Sequence, residues 1–75
     1  MHKGFVLLNC DLGAEEHVLK ELQQMDDITS AHLTFGAYDL IVEVRAPERE
    51  ALESIVAEIR SLSNVVSTMT LNVMS

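Results

Sequence analysis

Two short runs, Phe5-Val6-Leu7-Leu8 and Leu40-Ile41-Val42, are apolar at every position. Successive side chains of a strand point to opposite faces. A strand built from either run therefore carries hydrocarbon on both sides, and both sides need cover. The chain has only 75 residues with which to supply it. A domain of this size buries about 60% of its unfolded surface, and small scaffolds lean on disulfides, a metal or self-association. Cys10 is the single cysteine, so no intramolecular disulfide framework exists. No Cys or His pair stands at zinc spacing, and His2, His17 and His32 form no metal pattern. Self-association is the device that remains.

The rest of the chain supplies alternating elements. Phe5 to Cys10 reads as a strand bounded by Gly4 and Asp11-Leu12-Gly13. Ala14 to Met25 has a helical apolar stripe at Ala14, Val18, Leu22 and Met25. Asp11 is placed to cap it, Glu15 and Glu16 suit its first turn, and Glu16–Lys20 is an i,i+4 pair. Ala31, Leu33 and Phe35 alternate with polar residues and predict a half-buried strand. Tyr38, Leu40, Val42 and Val44 then form one face of a third strand, with Asp39, Ile41, Glu43 and Arg45 on the other. Pro47 suits the first turn of a second helix, whose apolar positions are Leu52, Ile55, Val56, Ile59 and Leu62. Val65 to Met74 is the last strand. No linker or repeat interrupts residues 1–75, which read as one domain.

The order βαββαβ predicts an α+β, ferredoxin-like fold: a four-stranded antiparallel sheet with two helices on one face and the first and third strands central. Two helices on one face leave the other bare. A second copy of the sheet is the simplest cover, giving a dimeric α+β barrel-like assembly.

Charge argues against a nucleic-acid partner. Five basic residues face twelve acidic ones, for a net charge of −7, whereas a DNA binder must neutralise phosphates. The same sign disfavours anionic membranes. No apolar run reaches the roughly 20 residues of a membrane helix, and no signal peptide is present. A cytoplasmic protein is expected, and the lone thiol agrees with a reducing compartment.

The candidate site is the stretch Thr34-Phe35-Gly36-Ala37-Tyr38-Asp39-Leu40. Gly36 can take the positive φ of a tight hairpin, and Asp39 is then held at a sheet end, where ligands and partners dock. The plainer readings stand beside this one. Asp39 can be a strand-end carboxylate bonded to turn amides. Tyr38 packs with its hydroxyl at a rim, and Thr68 and Thr70 suit any strand. Cys10 reads as a buried, inert thiol. No nucleophile–base pair or phosphate-cradling loop is present, so no catalytic residue, metal or cofactor is assigned and the chain is not read as an enzyme. An acylphosphatase-like site lacks its loop arginine, and one cysteine cannot hold an iron–sulfur cluster.

The Phe5-Val-Leu-Leu-Asn-Cys strand, the Gly13-Ala-Glu-Glu helix start, the Thr34-Phe-Gly-Ala-Tyr-Asp-Leu hairpin and the closing Val66-Ser-Thr-Met-Thr-Leu strand resemble the effector-binding (RAM) domain of the Lrp/AsnC transcription regulators. The resemblance runs from about Phe5 to Val73. Gly-x-Tyr-Asp and Ser/Thr-x-Thr are each weak motifs, but together at this separation they are specific. The resemblance implies a sheet-to-sheet homodimer, higher ring assemblies such as octamers, and a free amino acid bound near subunit interfaces. It implies that Gly36, Ala37, Tyr38 and Asp39 hold the amino acid's α-amino and α-carboxylate groups, and that Ser67, Thr68 and Thr70 help to enclose it. A helix-turn-helix precedes this domain in the family, whereas Met1 stands four residues before the first strand. Either a stand-alone module, the favoured reading, or a cut-down form of a full regulator is therefore expected, and both lack DNA binding. It either senses an amino acid or modulates full-length paralogues by co-assembly.

Overall fold

Strand β1 (His2–Cys10) has a hydrogen-bonded neighbour on each side, β3 (Leu40–Ala46) and β4 (Val65–Asn72). Strand β2 (Ile28–Leu33) pairs with the outer side of β3. The computed structural model describes residues 1–74. All pairings are antiparallel, in the order β2-β3-β1-β4. Helix α1 (Glu15–Gln23) joins β1 to β2, and α2 (Arg49–Arg60) joins β3 to β4. This is the ferredoxin-like arrangement expected from the sequence, with β1 and β3 central.

The alternation of β1 and β3 decides where the core lies. Val6, Leu8 and Cys10 of β1 and Leu40, Val42, Val44 and Ala46 of β3 are buried, together with Val18 and Leu22 of α1 and Leu52, Ile55 and Ile59 of α2. Both helices thus cover one sheet face. The register pairs Leu7 with Ile41 and with Met69, and Phe5 with Leu71. Directly paired residues share a face, so these five side chains form a stripe on the side without helices. Phe5, Leu7 and Ile41 are half-buried by their neighbours alone, and Met69 and Leu71 are exposed.

Several element boundaries differ from the sequence reading. β1 starts at His2, and Gly4 is a buried interior position rather than a stop. A methyl group at Gly4 would meet Asn72 and Leu71 at 3.4 Å, so the strand runs closely against β4 there. Asp11 does not cap α1 with its side chain. Its carbonyl accepts from the Ala14 amide at 2.9 Å, and its carboxylate accepts from Asn64 Nδ2 at 3.2 Å. The Glu16–Lys20 pair is replaced by His17 and Glu21, 3.4 Å apart. Pro47 lies before the Glu48 N-cap rather than inside α2.

The largest departure is in β2. The sequence places Leu33 and Phe35 with Ala31 on a buried face. Only Ala31 is buried; Leu33 is 47% exposed and Phe35 fully so. The strand stops at Leu33, so Leu33 is its last paired residue and Phe35 lies beyond it.

Candidate functional site

Residues 34–39 connect β2 to β3 and form the tip of a hairpin. The Thr34 amide donates to the Asp39 carbonyl at 2.9 Å, and the Thr34 hydroxyl donates to the Tyr38 carbonyl at 2.7 Å. These two bonds close the loop. Gly36 has φ of +120° and open space where a Cβ would stand. Glycine is needed there for the backbone angle alone. Among the described residues, none of the amides of Phe35, Gly36, Ala37 and Tyr38 donates to a backbone carbonyl. They form a group of free donors at the tip.

Asp39 is held from three sides. Its amide donates to the Leu8 carbonyl at 2.9 Å, its carbonyl accepts from Thr34, and carboxylate Oδ2 accepts the Cys10 amide at 3.0 Å. The Cys10 thiol lies 3.8 Å from the same oxygen. A carboxylate therefore satisfies the last amide of β1, where the regular ladder has ended. Burial pushes the Cys10 thiol pKa up, and the charges of Asp39 and Glu15 push it further. This thiol stays protonated and inert, as expected for Cys10.

The alternation read from the sequence breaks at this point. It assigns Tyr38 to the face of Leu40 and Asp39 to the opposite face. The Asp39 carboxylate instead lies toward Cys10 on the helix side, and the Tyr38 hydroxyl donates to Met69 Sδ at 3.5 Å on the open side. β3 begins only at Leu40, so the period-two rule does not extend back into the turn.

A cavity of about 310 Å³ opens beside Asp39, lined by Glu15, Leu33, Thr34 and Phe35. That is at the small end of the range for ligand pockets. The residues of β4 are placed elsewhere. Ser67 is on the open face, accepting from Asn9 Nδ2 at 3.4 Å. Thr68 and Thr70 pair with Leu8 and Val6 on the helix side. Thr68 lines a depression with Arg60, and Thr70 lines a groove between β4 and α2. One protomer thus brings Gly36, Ala37, Tyr38 and Asp39 together at the hairpin and keeps Ser67, Thr68 and Thr70 apart from them.

Sequence reasoning missed Glu15, Leu33 and Phe35 as cavity residues. Glu15 was explained by the helix dipole, and the other two by a core that does not reach them. Among the described residues, no group of three or more His, Cys, Asp or Glu side chains is arranged to hold a metal ion, and no helix is long and apolar enough to cross a membrane.

Residues 3–75 match the family described as the Lrp/AsnC ligand binding domain. Over 71 residues the chain is 30% identical to the HTH-type transcriptional regulator FL11 of Pyrococcus abyssi (strain GE5 / Orsay), covering 95% of this chain and 47% of that protein. The chain spans about half the length of this curated relative. The crystal structure of the hypothetical protein PHS023 from Pyrococcus horikoshii is similar at a TM-score of 0.94 and 29% identity, over 100% of this chain and 92% of that one. A transcriptional regulator from Neisseria meningitidis, NMB0573, solved as its L-Met complex, shares the fold at a TM-score of 0.88 and 14% identity, over 99% of this chain and 50% of that one.

Proposed function

This chain belongs to the Lrp/AsnC ligand-binding domain family, and on that premise we propose that it is an amino-acid sensor module that works as a self-assembled oligomer. The observation that carries the reading is the hairpin. Free amides at Gly36 and Ala37 stand close in sequence to a carboxylate held on the last amide of β1. Backbone donors suit an α-carboxylate. The second oxygen of Asp39 suits an α-ammonium, and the adjoining cavity suits a side chain. That a regulator of the same fold was solved with L-Met supports the chemistry.

Ser67, Thr68 and Thr70 do not share the hairpin cavity within one protomer. A second copy brought against the sheet or its edge can supply them from outside, which fits a ligand held near subunit contacts. The open face supports such assembly: Phe5, Leu7, Ile41, Met69 and Leu71 line it with hydrocarbon. Covering a few hundred Å² of apolar surface contributes several kcal/mol at about 25 cal/mol per Å², comparable to the whole stability of a small domain.

The chain itself does not bind duplex DNA in this reading, since its net charge of −7 repels phosphate. It is assigned no catalysis, and its relatives are transcription regulators. A regulator's module works in the cytoplasm. The same open face favours a second role, co-assembly with full-length regulators of the family, which needs no ligand of its own.

Calorimetry with each of the twenty amino acids tests the sensor reading. Wild type binds at least one of them, and Asp39→Ala weakens that binding roughly ten- to a hundredfold, the value of a charge-assisted contact. Equal binding by both proteins removes Asp39 from the site. No binding by wild type leaves co-assembly as the role.

A further inference from the structure

We infer, resting on the sensor reading above, that the hairpin cavity selects an amino acid with a cationic side chain and that Glu15 is the residue that selects it. The cavity is lined by Glu15, Leu33, Thr34, Phe35 and Asp39, so it holds two carboxylates and no basic group. Among the described residues the ion pairs are His17–Glu21 and Arg45–Glu43. Neither Glu15 nor Asp39 therefore has a cationic partner within the chain. Their charges act on one spot: Asp39 Oδ2 lies 3.8 Å from the Cys10 thiol, and the charge of Glu15 also bears on that thiol. The helix dipole accounts for acids in the first turn of α1, where Glu15 and Glu16 both stand. It does not account for one of the two lining a cavity beside another carboxylate.

Charge balance then sorts the ligands. The α-ammonium of any amino acid answers one carboxylate, that of Asp39, and the α-carboxylate goes to the uncharged hairpin amides. A neutral side chain entering the cavity shields Glu15 from water and gives it no partner, which is costly. An acidic side chain adds repulsion. A cationic side chain gives Glu15 a charge-assisted bond. The apolar wall fits the same ligand. Leu33 is 47% exposed and Phe35 fully so, and the core makes no use of either at these positions. Leu33 offers a surface to the methylene stem of a lysine or arginine, and the Phe35 ring offers its face to the cation.

Calorimetry on the intact protein tests this with matched pairs: arginine against citrulline, its uncharged counterpart, and lysine against norleucine. Each cation should bind roughly tenfold more tightly than its neutral counterpart. Glu15→Gln should bring the two members of each pair together. Glu16→Gln, one residue on in the same turn, exposed and outside the cavity, should keep the preference. Both variants remove one negative charge from the same turn, so a difference between them is local to the cavity. Three results overturn the selection while leaving the sensor reading in place, provided Asp39→Ala still weakens whichever amino acid binds. They are neutral ligands bound as tightly as the cations by wild type, a preference that survives Glu15→Gln, and a preference lost equally in Glu16→Gln. Failure of wild type to bind any of the twenty amino acids overturns both.

Discussion

Cys10 shows how one side chain ties the candidate site to stability. Its thiol is pushed above the ordinary value of 9.0, first by burial and then by the neighbouring Asp39 and Glu15 charges. Unfolding releases it to the ordinary value, so the unfolded chain loses this proton at lower pH than the native one. The contribution is therefore complete below about pH 9 and is lost as pH rises through the native pKa. Urea midpoints should fall as pH rises past 9, and Cys10→Ala should flatten that slope. Iodoacetamide should label Cys10 slowly in native protein and quickly in urea. Asp39 has a structural duty as well as the proposed ligand duty, because its Oδ2 satisfies the Cys10 amide. Asp39→Asn keeps an acceptor for that amide without the charge, whereas Asp39→Ala leaves the amide bare at a cost of about 1–3 kcal/mol. Thermal melts should rank wild type near Asp39→Asn and both above Asp39→Ala. If the asparagine variant melts with the alanine variant, the hydrogen bond is not what holds the strand end.

Among the elements, the hairpin and β1 offer a contrast between two glycines. Gly36 has φ of +120° and no neighbour within 4 Å of a built Cβ, whereas Gly4 has ordinary backbone and close neighbours at 3.4 Å. Gly36→Ala should cost about 1–3 kcal/mol through backbone strain alone, read as a lower urea midpoint with unchanged m. Gly4→Ala should cost less than Gly36→Ala, since its contacts lie at the edge of ordinary packing distance. A reversed order would mean that space and not φ governs these positions. The same elements show what the sequence made legible. The period-two pattern in β1 and β3 survived intact because both strands are paired along their length. It therefore set the order of elements and sorted the side chains into two faces, but left open which face meets the helices, because both are apolar in β1 and β3; burial of Val6, Leu8, Leu40 and Val42 decides it. It failed at Leu33, Phe35, Tyr38 and Asp39, where regular pairing has stopped and local bonds aim each side chain. The separation of Ser67 from Thr68 and Thr70 was already implied by alternation, since odd and even residues of a strand cannot share a face. What alternation does not carry is how a turn carboxylate replaces a ladder bond, because that depends on a residue 29 positions away.

The whole molecule has one face that its own chain does not cover. Leu7 and Ile41 face each other at its centre. Leu7→Glu should therefore turn an assembled species into an 8.3 kDa monomer by light scattering, while the buried neighbour Leu8, on the other face, is off limits because a charge there unfolds the domain. Wild type already monomeric at micromolar concentration would remove the sheet-face contact. The hairpin reaches both faces through adjacent residues: the carboxylate of Asp39 lies toward Cys10, and the hydroxyl of Tyr38 meets Met69 on the open side. Two consecutive residues share one short piece of backbone, so a force on one is felt by the other. If the proposed ligand is held by Asp39 and the open face is the proposed subunit contact, binding at the one displaces a tyrosine at the other. Occupancy and association then become linked equilibria, and each must change the other by the same factor. Apparent ligand affinity should drift with protein concentration in wild type and become independent of it in Tyr38→Ala. A dose of small molecule would then be read by this protein as a change in how crowded it is with its own kind.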